Sequence, residues 1–271
     1  MAQRTVIGLL LFLFSTVTAA AVEVTLDGEL TQGGFISAQT VPGATAKLND
    51  KPIRVDDQGR FVFGFGRDAA LSHTLTVIGP NGSEQTRALT LSKRHYKIQH
   101  IDGLPKKYVS PPESVLRRIR AENGRIYTIR NHDTDYGGVF GGFIWPASGI
   151  VSGVYGSQRV LNGQPKRPHF GLDVAGPVGT PVVAPASGIF RMAETDLYYT
   201  GGTIMLDHGH GIVSVFSHLS KIDATIGQWV EQGIKIGEIG STGRSTGPHL
   251  DWRVNWFQTR LDPELLLPPR D

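Results

Sequence analysis

Three separated segments carry residue types that can hold a metal and move protons: His169-Phe-Gly-Leu-Asp173, Phe216-Ser-His218-Leu-Ser and Ser245-Thr-Gly-Pro-His249-Leu-Asp251. On a strand, residues i, i+2 and i+4 share one face. His169 and Asp173 are four apart, and Gly171 and Val174 favour an extended segment over a helical turn. His249 and Asp251 are two apart and share a strand face. Two imidazoles and two carboxylates can therefore converge from two strands. A catalytic zinc takes three protein ligands and keeps one position open. The set supplies three ligands with one imidazole over, and His218 adds another for proton transfer. Each piece alone is weak: a His-x-x-x-Asp arises often by chance, His218 suits a satisfied core or a surface, and His249 could simply close a turn after Gly247-Pro248. His208 and His210 flank a glycine turn and read as structural or solvent-exposed. His73, His95 and His100 are scattered and read as surface residues.

The elements that must position these residues are mostly strands. The chain has 271 residues, of which 39% are hydrophobic and 19% charged, a globular composition. Its 34 glycines and 16 prolines follow no fixed period and mark turns. From Val22 to about His100, short alternating runs lie between turn signals: Ala44, Ala46 and Leu48, then Phe61, Phe63 and Phe65, then Leu75 and Val77. This pattern predicts a small antiparallel β-sandwich at 22–100, free of catalytic residues and acting as an accessory module. In the 101–142 linker, Ser110-Pro-Pro-Glu113 predicts a capped helix start with Val115, Leu116 and Ile119 as its apolar stripe. Arg117, Arg118 and Arg120 fall largely off the stripe and read as a solvated face, with contact to an anionic wall polymer as the sharper alternative. Asn131–Gly142 reads as a hinge or an inhibitory loop. Residues 143–271 return to strand and turn and predict a compact antiparallel β domain.

Arg4, the apolar run Val6–Phe14 and Ala19-Ala20-Ala21 predict an export signal over residues 1–21. The run is shorter than the roughly 20 residues a membrane-spanning helix needs, so no stable membrane insertion is expected after cleavage. The chain has no cysteine, which excludes disulfides and thiolate metal sites, so a metal must use His, Asp or Glu. A net charge of +3 is too small an excess for the basic stripe of a nucleic-acid binder.

His169-Phe-Gly-Leu-Asp173-Val, followed by Gly179-Thr-Pro-Val and Ala184-Pro-Ala-Ser-Gly188, resembles the first metal motif of the lysostaphin-type (LytM-like) metalloendopeptidases. Val215-Phe-Ser-His218-Leu-Ser resembles their central histidine motif, and Gly237 through Ser245-Thr-Gly-Pro-His249 their closing motif. The likeness runs from about Trp145 to Asp262. It implies a mainly β chain: an N-terminal β-sandwich, a linker helix and a C-terminal antiparallel β-sheet metallopeptidase domain. It also implies one zinc per chain on His169, Asp173 and the residue at 251, with His218 and His249 catalytic. Peptidoglycan stem peptides are the implied substrate, and the periplasm or cell envelope the implied location.

One position departs from the pattern: Asp251 stands where the family usually has its third ligand histidine. Aspartate is an acceptable zinc ligand. Two carboxylates would nevertheless neutralise a divalent cation, raise the pKa of its water and make another divalent ion, such as manganese, more plausible. The alternative is a catalytically inactive regulator on the same fold that activates cell-wall amidases. A third class, a lipoyl-type carrier, is suggested by Gln228–Gly237, but Lys235 falls inside an alternating strand instead of at a hairpin tip.

Overall fold

The computed structural model describes residues 22–101, 113–161 and 163–270. The export signal and the Ser110 cap lie outside the described residues. The N-terminal strands are β1 (Thr25–Asp27), β2 (Phe35–Gln39), β3 (Thr45–Leu48), β4 (Lys51–Ile53), β5 (Arg60–Gly64), β6 (Ser72–Ile78) and β7 (Glu84–Thr90). They form two sheets, ordered β1-β2-β5 and β4-β3-β6-β7. Ile36 and Phe63 from the first sheet and Ala46, Leu75 and Leu89 from the second fill one core. Strand β3 alternates exposed and buried as its sequence predicts. Strand β5 does not: Phe61, Val62 and Phe63 are all buried. Phe61 and Phe63 face the sandwich core, while Val62 joins the core of the C-terminal half. This strand is covered on both faces.

Strand β8 (Ile98–Ile101) leads to helix α1 (Glu113–Arg130) and a short 3-10 turn at Gly138–Gly141. The remaining strands are β9 (Ile150–Gly153), β10 (Gln158–Leu161), β11 (Gln164–Pro165), β12 (Leu172–Ala175), β13 (Pro181–Val183), β14 (Gly188–Leu197), β15 (Gly201–Gly209), β16 (Ile212–Ile222), β17 (Trp229–Val230), β18 (Lys235–Ile239), β19 (His249–Trp256) and β20 (Thr259–Leu261). The main sheet runs β17-β14-β15-β16-β19-β12-β9, with β18 joining β13 to β16 and β20 lying beside β19. Its pairings are antiparallel, whereas β8 pairs with β10 in parallel.

The period of two along the strands sorts side chains onto the two faces of this sheet. Leu172, Val174, Ile204, Leu206, Phe216, Leu250, Trp252 and Val254 point into the main core. The opposite face carries Met205, Val213 and Val215, on which Ile126 and Ile129 of α1 pack with Met192 and Leu197. Polar clamps fix the helix there. Glu122 accepts from the Tyr198 backbone N–H at 3.0 Å and from Arg118 Nε at 2.7 Å. At the other end Gln258 donates to the Tyr127 carbonyl and to Asn131 Oδ1. Arg117, Arg118 and Arg120 are all exposed, and Arg118 also reaches Asp196. The two halves meet through buried Asp262, which pairs with Arg94 at 2.6 Å.

His208 and His210, which the sequence left open between structure and solvent, are both buried. The Ser187 carbonyl can only accept, so His208 Nδ1 carries the proton and donates to it at 2.9 Å; Nε2 then accepts from Ser214 Oγ at 2.8 Å.

Candidate metal centre

Strands β12 and β19 pair in a register that sets Asp173 directly opposite Asp251, and β16 sets Ser217 on the other side of Asp251. Because Leu250, Trp252 and Leu172 point into the core, the residues between them point to the α1 face. That face of β19 carries His249, Asp251, Arg253 and Asn255 in sequence. His169 precedes β12 in an extended segment tied to Ser157, whose carbonyl accepts the His169 N–H at 2.8 Å.

One ligand atom each from His169, Asp173 and Asp251 fall within 4.8 Å of one another, forming a cluster capable of holding a divalent metal ion. The donor atoms bear this out. His169 Nε2 and Asp173 Oδ1 are buried and lie 3.2 Å apart, yet neither has a hydrogen-bond partner. A buried polar atom without a partner is costly, and a shared cation would satisfy both. Two glycines make room for the carboxylates. A Cβ at Gly153 would lie 2.2 Å from Asp173 Oδ2, and one at Gly171 would lie 2.4 Å from Asp251 Oδ1.

His218 reaches the same face through a break in the alternation. Strict period two would send residue 218 to the core beside Phe216. Instead the β15–β16 register shifts between Ile204/Phe216 and Gly202/Leu219, and His218 adopts a left-handed φ of 66°. This bulge returns Leu219 to the core and leaves His218 beside His249, with ring centroids 4.8 Å apart. His218 Nδ1 donates to the Thr242 carbonyl at 2.8 Å, and His249 Nδ1 donates to the Gly247 carbonyl at 2.8 Å. Carbonyl oxygens only accept, so each neutral ring keeps Nε2 as an unprotonated base.

The electrostatics of the site are divided. Burial is the largest influence on Asp251 and pushes its pKa up. The charge and hydrogen bonds of Arg253 more than reverse this, with help from His169 and His218, and the carboxyl settles at about 2. Arg253 Nε donates to both carboxylate oxygens, at 2.9 and 3.1 Å, and Nη2 also donates to Oδ2. Asp251 is therefore an anion across the physiological range. Burial lowers the pKa of His218, which favours its neutral, proton-accepting form.

The structure brings all five expected residues, His169, Asp173, His218, His249 and Asp251, to one face. Three neighbours went unread in the sequence. Ser217 places a buried hydroxyl without a partner across from Asp251. Arg253, two residues on from Asp251 and on the same strand face, could have been found from that spacing. Gly171 had been read only as a sign of extended chain.

Residues 167–263 match peptidase family M23. A solved structure of a peptidase M23 protein from Pseudomonas aeruginosa is 27% identical and superposes with a TM-score of 0.65 over 88% of this chain and 95% of that one. An uncharacterized metalloprotease of Haemophilus influenzae is 37% identical over 147 residues, which is 54% of this chain and 30% of the relative. The peptidoglycan DD-endopeptidase ShyA of Vibrio cholerae is 41% identical over 87 residues, 32% of this chain and 20% of ShyA. The chain thus spans less than a third of the length of these two curated relatives. With the three motifs gathered on one face of an antiparallel sheet and the likeness centred on those residues, the segment 167–263 of this chain is a member of peptidase family M23.

Proposed function

We propose that this chain is an exported zinc endopeptidase that hydrolyses peptide cross-links of peptidoglycan in the periplasm or cell envelope. The observation that carries the reading is the pair of buried atoms His169 Nε2 and Asp173 Oδ1, which face each other at 3.2 Å with no hydrogen bond to either, beside the ionised Asp251. These three residues would hold the ion. A bound zinc supplies a Lewis acid for the scissile carbonyl and lowers the pKa of a water. The chain's own part is proton handling. His218 and His249 each have Nδ1 locked to a carbonyl, so Nε2 of one accepts the proton that the attacking water loses. The resulting imidazolium, with the neighbouring ring, stabilises the oxyanion. That proton then passes to the amide nitrogen as the C–N bond breaks and the amine leaves. The likeness to a peptidoglycan DD-endopeptidase supports the substrate class.

Metal content and cleavage test this together. The full chain should carry about one zinc. Asp251→Ala should lose the zinc and the activity, whereas His249→Ala should keep the zinc and lose hydrolysis of peptidoglycan. A chain that takes up neither zinc nor manganese would sink the peptidase reading. It would favour the amidase-activating regulator, for which the Arg253–Asp251 ion pair would be the structural replacement of a metal.

A further inference from the structure

The α1 face of β19 continues past the metal cluster into a group of guanidiniums. Arg253 follows Asp251 by two residues, and Asn255 follows Arg253 by two. Arg260 on β20 pairs with Asn255 in the strand register and donates to its side-chain oxygen at 2.5 Å. Arg130, the last residue of α1, is brought to the same place by the Gln258 bonds to Tyr127 and Asn131. Arg167, with its guanidinium 5.6 Å from the centre of the Phe170 ring, stands on the exposed rim.

Three of the four arginines of this group lack an acid partner. Arg130 is only 8% exposed, and its Nε is buried without a partner. Among the described residues, no carboxylate pairs with Arg130, Arg167 or Arg260. Arg253 is paired, but with Asp251, which the metal cluster also claims. Like charges held together out of water are unfavourable unless an anion joins them. The strain shows in the pKa values: burial, then the neighbouring arginines, pushes Arg130 down to about 9 and Arg260 down to about 8.

We propose that Arg130, Arg167, Arg253 and Arg260 form a receptor for a carboxylate of the peptide substrate, placed beside the cleavage site. The planar guanidinium forks match a carboxylate in two-point hydrogen bonding. The receptor would set the register of an acidic peptide along β19, with its scissile bond over His218 and His249. Arg130 comes from α1, outside residues 167–263 that match the peptidase family. The receptor is therefore assembled only when the helix is docked. This inference rests on the peptidase reading for the identity of its ligand, but not for the pocket itself.

The test separates the two. Thermal unfolding of the zinc-supplemented full chain is followed with glutarate, with its uncharged diamide and with inorganic sulfate, at constant ionic strength. Glutarate should raise the midpoint saturably, and the diamide should not. Arg130→Gln should weaken glutarate binding about tenfold, the worth of one charge-assisted contact. Arg130→Lys should recover part of it, and the exposed control Arg117→Gln should bind as the parent does. If Arg130→Gln does not fold, Arg260→Gln takes its place. Equal stabilisation of Arg130→Gln and the parent, or stabilisation by the diamide, overturns the receptor. Sulfate outcompeting glutarate overturns the carboxylate assignment. In a second arm, two peptides differing only by a free or amidated carboxylate are hydrolysed. Arg130→Gln should lower kcat/KM for the acid about tenfold more than for the amide. A chain that binds glutarate through Arg130 yet cuts neither peptide keeps the receptor and loses the peptidase.

Discussion

Asp251 sits between two demands. Arg253 holds it as an anion through three hydrogen bonds, which readies it to bind a cation but also competes for its lone pairs. Histidine at this position would not draw in an arginine. The departure at Asp251 therefore comes with its own counter-charge on the same strand face. The geometry leaves no slack around it. A Cβ at Gly171 would meet Asp251 Oδ1 at 2.4 Å, Arg253 Cγ at 2.8 Å and the Trp252 carbonyl at 2.8 Å. Gly171→Ala should therefore destabilise the chain by about 1–3 kcal/mol, as overpacking does, and weaken metal binding. Urea unfolding and zinc titration check both. Unchanged zinc affinity would show that Asp251 can move without leaving the metal set.

At the scale of elements, two devices shape the site: the β16 bulge that turns His218 outward and the helix that walls one side. The bulge explains how consecutive residues Ser217 and His218 both serve one face, which regular pleating forbids. Helix α1 buries few large side chains, so its docking depends on its polar clamps. Glu122 is the central one. Glu122→Ala leaves the Tyr198 N–H without its acceptor, strips Arg118 of one of its two partners and should cost about 1–3 kcal/mol. The expected readouts are a lowered urea midpoint and faster proteolysis at the helix. A midpoint equal to the parent's would mean that Ile126 and Ile129 hold the helix by themselves.

Across the whole molecule, acid sensitivity should come in part from a residue outside the site. His208 is buried in the main sheet with both ring nitrogens committed in the neutral form. Burial, its dominant influence, pushes the pKa down to about 4 from an ordinary 6.5. Between those values the unfolded chain binds a proton that the folded chain refuses, so stability falls as pH drops from about 6.5 towards 4. The loss from this residue is about 3 kcal/mol. Urea midpoints at pH 7.5 and pH 4 measure it: His208→Gln should show a smaller drop between the two pH values than the parent. An equal drop would mean that other groups carry the acid response. The N-terminal sandwich shares the outcome, because Val62 and the Arg94–Asp262 pair join it to the main sheet.

The sequence by itself determined the strand-rich architecture and named the five residues of the candidate site. Period-two alternation and turn signals are local properties, and His169/Asp173 and His249/Asp251 are spaced to share strand faces. The glycine-flanked motifs around them carry the family likeness. The sequence also placed the helix, through the stripe of Val115, Leu116 and Ile119. Tertiary structure decided what depends on register between distant strands. Opposing Asp173 to Asp251 is a property of the β12–β19 pairing, and turning His218 to the metal face needs a bulge that alternation alone would deny. The same holds for β5, whose Val62 is buried because a second layer covers it, and for His208 and His210, whose burial follows from packing. The arginine group is the clearest case. Its members lie at 130, 167, 253 and 260, and no local pattern links them. Only the docking of α1 on that face of the sheet brings their charges together, with Asp251 on Arg253 as the one acid paired to the group among the described residues.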